Sequence, residues 1–129
     1  MTTRDSHDTK REQYISHKLY LQRRTANRYY NLGYMMYETI FTYTVNQSGQ
    51  HVYTNATKEN LKDAYKNFEI ALLFNPNDVD AKARKDYICK IWGPDAQIGA
   101  INGSTPTLSQ GDVNTMKNEA KKIHRNCTC

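Results

Sequence analysis

The sequence predicts an all-α fold. Apolar residues recur at three- and four-residue steps in five separate stretches. Residues that start and stop helices stand at the borders of the later stretches. The longest runs rich in Gly, Ser, Thr and Asn fall between periodic stretches.

Residues 1–9 are polar and without periodicity, which predicts an extended terminal segment. From Lys10 to about Arg28 a loose stripe of Tyr14, Ile15, Leu19 and Leu21 predicts a first helix. Lys18, Arg23, Arg24 and Arg28 take up much of its remaining surface. A second helix is expected from about Ala26 to Thr44, carrying Tyr29, Leu32, Met36, Tyr37 and Ile40. Gly33 lies inside it. A mid-helix glycine costs about 1 kcal/mol relative to alanine, so a close helix crossing is expected there.

Residues 46–60 are rich in Asn, Ser, Gly and Thr, which predicts a loop or a short β-excursion around His51–Thr54. Thr57 is an N-cap candidate with Glu59 behind it. The helix from Lys58 to Phe74 has the clearest stripe: Leu61, Ala64, Tyr65, Phe68, Ala71 and Leu72. Asn75 and Pro76 end it, and Pro76 suits the first turn of the next helix. That helix is expected over Asp78–Trp92, with Val79, Ala83, Tyr87, Ile88 and Ile91 inward and Gly93–Pro94 as its stop. Residues 94–108 read as a linker or strap. Ser109 and Asp112 resemble a capping box with Asp in place of Glu, opening a last helix. Val113, Met116, Ala120 and Ile123 form its stripe, and Lys117, Lys121, Lys122 and Arg125 its basic side.

The expected organisation is therefore a basic N-terminal arm at 1–26 and a helical core at 27–93 with an inserted loop at about 45–58. The strap at 94–108 and a basic amphipathic helix with its tail at 109–129 complete it. The net charge of +5 is unevenly spread. Residues 1–28 hold seven Lys or Arg against three Asp or Glu, whereas residues 29–57 hold only Glu38. Ten tyrosines against three phenylalanines suit half-buried sites and interfaces. Three cysteines, two of them crowded at Cys127 and Cys129, do not form a disulfide framework. The first 25 residues hold no continuous apolar run, so no secretory signal and an intracellular protein are expected, with an organelle or a virus particle as settings. No window is apolar enough for a transmembrane helix.

Ala64, Phe68, Ala71 and Pro76 stand at successive steps of four, three and five residues. This spacing resembles the second helix of a tetratricopeptide (TPR) repeat, and Tyr29, Leu32, Gly33 and Met36 resemble its first. The resemblance implies an antiparallel helical hairpin covering one degenerate repeat, about residues 27–76. In it the two alanines permit close approach, Phe68 fills the hollow, Gly33 is the small residue at the crossing and Pro76 turns the chain. The separation of Gly33 from Ala64 exceeds the family's, so the turn between the helices would carry a long insertion. In the family, stacked repeats form a groove that holds a peptide or a partner helix. A lone repeat must bury its apolar face on flanking helices or on another chain.

These readings point to a non-enzymatic protein–protein interaction or structural subunit of a larger assembly. The alternative is a nucleic-acid-associated protein of a ribosome-like particle. In that case Lys18, Arg23, Arg24 and Arg28 would contact phosphates, while Tyr14, Tyr20 and Tyr29 stack on bases. No catalytic residue, cofactor or metal is assigned. His124, Cys127 and Cys129 lack a fourth ligand for a tetrahedral zinc site. Cys127 and Cys129 resemble the prenylated ending of small GTPases, but no phosphate loop accompanies them, so lipid anchoring is not expected.

Overall fold

The computed structural model describes residues 6–96 and 107–127. The order of elements is α1 (Ser6–Ile40), β1 (Thr44–Val45), β2 (His51–Val52), α2 (Lys58–Phe74), α3 (Val79–Trp92) and α4 (Gln110–Arg125). The fold is all-α, with one two-stranded hairpin among the described residues.

α1 corrects the expectation of two helices and, over residues 6–9, of an extended N-terminal segment, whose residues 1–5 lie outside the described residues. It is one helix of 35 residues, about 52 Å long at 1.5 Å per residue. Nothing between Thr25 and Arg28 stops a helix, because the stretch holds neither Pro nor Gly. The boundary expected at residue 26 falls mid-helix, where Ala26 is buried.

α2 is the hub, and α1, α3 and α4 all pack against it. It therefore buries Leu61, Ala64, Tyr65, Phe68, Ile70, Ala71 and Phe74 around most of its circumference. Its start is as expected, with the Thr57 hydroxyl accepting from the Asn60 N–H at 3.2 Å. α1 runs antiparallel to it. Tyr29 stacks on Phe74 near one end, at 6.3 Å between ring centroids. Further along α1, Gly33 faces Phe68. A Cβ on Gly33 would stand 2.9 Å from the Phe68 Cδ1. Phe68 is fully buried and its ring touches Tyr30 and Tyr37 at 5.8 and 6.0 Å. The glycine lets the two backbones approach and the phenylalanine fills the space that results.

α3 begins after Asp78, whose Oδ1 accepts from the Ala81 N–H at 3.0 Å. Pro76 lies before this cap in an exposed turn, not in the first helical turn as expected. The buried face of α3 is Ala81, Ile88, Ile91 and Trp92. The expected stripe was partly misplaced, since Val79 is 77% exposed and Ala83 and Tyr87 are also exposed. Arg84 takes the place between Ala81 and Ile88. Its Nε donates to the Tyr30 hydroxyl at 3.1 Å. Its guanidinium lies 4.6 and 5.1 Å from the ring centres of Tyr34 and Tyr37. Lys85 pairs with Glu69 of α2 at 3.0 Å with both side chains largely covered. Several tyrosines that composition linked to partner interfaces thus serve inside the molecule.

The segment expected to be an insertion forms the hairpin, with Thr44 opposite Val52 and Val45 opposite His51. Gly49 takes the positive φ of 78° that its turn requires. Asn46 Oδ1 accepts from the Ser48 and Gln50 N–H groups, both at 2.9 Å. Tyr53, just beyond β2, packs on Trp92 and Phe41.

α4 opens with the expected capping box: Ser109 Oγ accepts from the Asp112 N–H and Asp112 Oδ2 accepts from the Ser109 N–H. Val113, Met116 and Ala120 are buried as predicted. Lys58 Nζ reaches Asp112 at 3.0 Å and Lys66 reaches Glu119 at 3.6 Å, linking α2 to α4. Three charged residues of α2, Lys58, Lys66 and Glu69, thus bridge to neighbouring helices. The ends of the expected strap meet, because the Leu108 N–H donates to the Trp92 carbonyl at 2.7 Å. Its residues 97–106 lie outside the described residues. Among the described residues, no helix is long and apolar enough to cross a membrane.

Gly33→Ala gains about 1 kcal/mol of helix propensity but forces a methyl into Phe68, where overpacking costs about 1–3 kcal/mol. Urea unfolding is expected to show a net loss. In combination with Phe68→Leu, the double variant should lose less than the two single losses added together. Simple additivity would mean that the crossing is not tight.

A second expectation concerns acid. The Ser109 amide and the Lys58 ammonium hold the Asp112 carboxyl at about 2, below its unfolded value of about 4. Its contribution to stability is complete above about pH 4 and is lost as pH falls towards about 2. Asp112→Asn should flatten that part of the stability-against-pH curve. An unchanged curve would remove this pair from the account.

Candidate functional site

α1 and α4 flank α2 without closing over it. A groove runs between them with α2 as its floor. It consists of three adjoining depressions of about 780, 520 and 610 Å³. The first two share Met36, Asp63 and Lys66. The second and third share Tyr29 and Ile123. The groove thus follows α2 from Lys58 to the level of Phe74, about 24 Å.

Its middle is apolar. Leu32, Met35 and Met36 of α1 meet Ile70 of α2 and Ile123 of α4. Leu32 is 48% and Met35 67% exposed, so large apolar side chains remain open to water. Methionine adapts its shape to what it touches. The rim carries both signs. Lys58, Lys62 and Lys66 stand with Glu59, Asp63 and Glu119 at one end, and Arg28 and Lys122 at the other. Asn67 is held in place at the floor, its Nδ2 donating to the Asp63 carbonyl at 3.0 Å.

The Thr25 and Thr39 hydroxyls donate back to the Leu21 and Met35 carbonyls, each at 3.0 Å. Outside the groove, burial pushes the Cys89 thiol up, which keeps it protonated. Burial likewise raises Tyr65. Among the described residues, no group of three or more His, Cys, Asp and Glu is placed to hold a metal ion.

Of the residues that carried the repeat resemblance, Gly33 and Phe68 meet at the helix crossing and the others are divided between core, groove and surface. Gly33 abuts Phe68, with Ala64 and Ala71 fully buried on the same helix. Tyr29 and Met36 are half-buried and line the groove. Leu32 was expected with the core stripe but lies on the groove side instead. Pro76 is exposed and away from the crossing. Lys18, Arg23, Arg24 and Arg28 are all exposed on α1. Only Arg28 of these lines the groove, at its end near Phe74. Arg24 lies over the Tyr20 ring at 5.8 Å. Every side chain from Lys10 to Tyr20 is exposed, so this part of α1 projects past the other helices.

Sequence reasoning missed Met35, Asn67, Ile70 and Lys122 as groove residues. One signal was available. Leu32 and Met36 make a second apolar row on α1, displaced around the helix from Ala26, Gly33 and Ile40. The position of α4, which completes the groove, was not readable from periodicity.

No family model, curated protein or solved structure matches this chain.

Because Leu32 and Met35 face water, Leu32→Asp and Met35→Asp should leave urea-unfolding stability within about 0.5 kcal/mol of the parent. A loss of several kcal/mol would place these side chains in the core and close the groove.

Proposed function

We propose that this chain is a non-enzymatic protein–protein interaction module, acting as a structural subunit of a larger assembly. α1 and α2 are read as a TPR-like hairpin on the spacing of Gly33, Ala64, Phe68, Ala71 and Pro76. The observation that carries the proposal is the open groove over α2, with exposed Leu32 and Met35 inside a rim of both charges. A groove of this length with an apolar middle suits a helix or extended peptide of a partner, laid along α2. The mixed rim supplies orientation, and the floor supplies affinity.

The rival reading, contact with nucleic acid through Lys18, Arg23, Arg24 and Arg28, predicts binding that falls steeply with salt. Purification of the tagged full chain with and without nuclease, followed by lysine cross-linking, separates the two. Protein partners are expected to survive nuclease, to cross-link at Lys62 and Lys66, and to be lost from Leu32→Asp/Met35→Asp. Loss of every partner on nuclease treatment would reject the proposal in favour of nucleic acid.

A further inference from the structure

The projecting half of α1 has a regularity that the rest of the molecule explains. Ile15, Leu19, Gln22, Ala26, Tyr29, Gly33, Met36 and Ile40 follow one another at alternating steps of four and three. That is the seam of a heptad repeat. From Ala26 to Ile40 the seam is consumed by the bundle: Ala26 and Ile40 are buried, Gly33 meets Phe68, and Tyr29 and Met36 are half-buried. The same seam continues beyond the end of α2. There Ile15 and Leu19 are 48% and 46% exposed, and neither belongs to a hydrophobic cluster among the described residues.

Three of the four residues flanking the open seam are basic. Arg11 and Lys18 lie on one side of it, and Ser16 and Arg23 on the other. From Lys10 to Arg28 there are six basic residues and one acidic residue. A second copy of this chain is a poor occupant. In a parallel pair Lys18 would face Arg23 of the other copy, and in an antiparallel pair the Arg11 and Lys18 flanks would face each other; like charges repel in both. A flat anionic membrane fits poorly too, because a strict seam is narrow. Lys10, Arg24 and Arg28 lie around the rest of the helix. Nucleic acid would satisfy the cations but leave Ile15 and Leu19 in water.

We propose that the N-terminal half of α1 docks an acidic amphipathic α-helix of a partner protein, which extends the helix packing of the bundle along the open Ile15–Leu19 seam. This rests on the reading of the chain as an interaction module and adds a second contact, separate from the groove. The partner helix carries apolar residues at heptad spacing for Ile15 and Leu19, and carboxylates beside them for Arg11, Lys18 and Arg23.

The test uses the full chain and a labelled peptide of three heptads, with Leu at the seam positions and Glu on both flanks. Its own glutamates oppose self-pairing. Fluorescence anisotropy should detect binding of this peptide and not of one with the same composition in scrambled order. Ile15→Asp and Leu19→Asp, which touch no core residue, should each weaken binding roughly tenfold or more. Lys18→Glu/Arg23→Glu should also weaken it, and a peptide with Lys on its flanks should restore it. Equal binding of the scrambled peptide would overturn the proposal by reducing the contact to charge. So would tighter binding of single-stranded DNA or of phosphatidylserine vesicles that is indifferent to Ile15 and Leu19. A concentration-dependent dimer abolished by Leu19→Asp would overturn it in favour of a second copy. The groove variants at Leu32 and Met35 should leave peptide binding unchanged, so this test and that of the groove can fail independently.

Discussion

The rest of the molecule depends on one contact: the Gly33 backbone lying against the Phe68 ring. Because Gly33 has no side chain, α1 approaches α2 closely enough for Tyr29 and Tyr37 to pack beside the crossing, on Phe74 and Phe68. With α1 seated there, Tyr30, Tyr34 and Tyr37 are presented to Arg84 of α3. Phe41, at the end of the same helix, reaches Trp92 and Tyr87. A single small residue thus sets the positions of an aromatic row that secures a third helix.

The polar contacts act around that core rather than creating it. Glu69 with Lys85 ties α3 to α2 where both are largely covered from solvent. Lys58 with Asp112 and Lys66 with Glu119 tie α4 to α2 nearer the surface, where such pairs contribute little individually. Their arrangement nevertheless matters for recognition. They occupy Lys58 and Lys66 along one edge of the groove and leave its apolar middle uncovered. The groove and the projecting half of α1 are therefore two consequences of one imbalance. α1 is longer than the elements that cover it, and α4 covers only part of what remains.

Legibility in the sequence followed the local signals. α2 and α4 were readable almost to the residue because Thr57 and the Ser109–Asp112 pair make their own hydrogen bonds at the helix starts. The close crossing was readable from a glycine within a helical pattern opposite a phenylalanine between alanines. The join inside α1 was misread because its stripe weakens near Gln22, where a polar residue stands in the seam. α3 was misread because Arg84 and Lys85 do the work of apolar residues, burying their stems and placing their charges on tyrosines and Glu69. The groove is a property of how three helices sit together, so no single stretch announced it.

The Leu108 amide bound to the Trp92 carbonyl fastens the two ends of the segment between α3 and α4 at one point. Leu108 is buried beside that point, and α4 is held independently by α2. The span of chain between these anchors closes a loop whose two ends are fixed by Trp92 and Leu108. Lengthening it would add only slowly to the entropy of closing the loop. A cut within it would leave two fragments that still share one hydrophobic core. The joint between α3 and α4 is thus held at its two ends, whatever length of chain connects them.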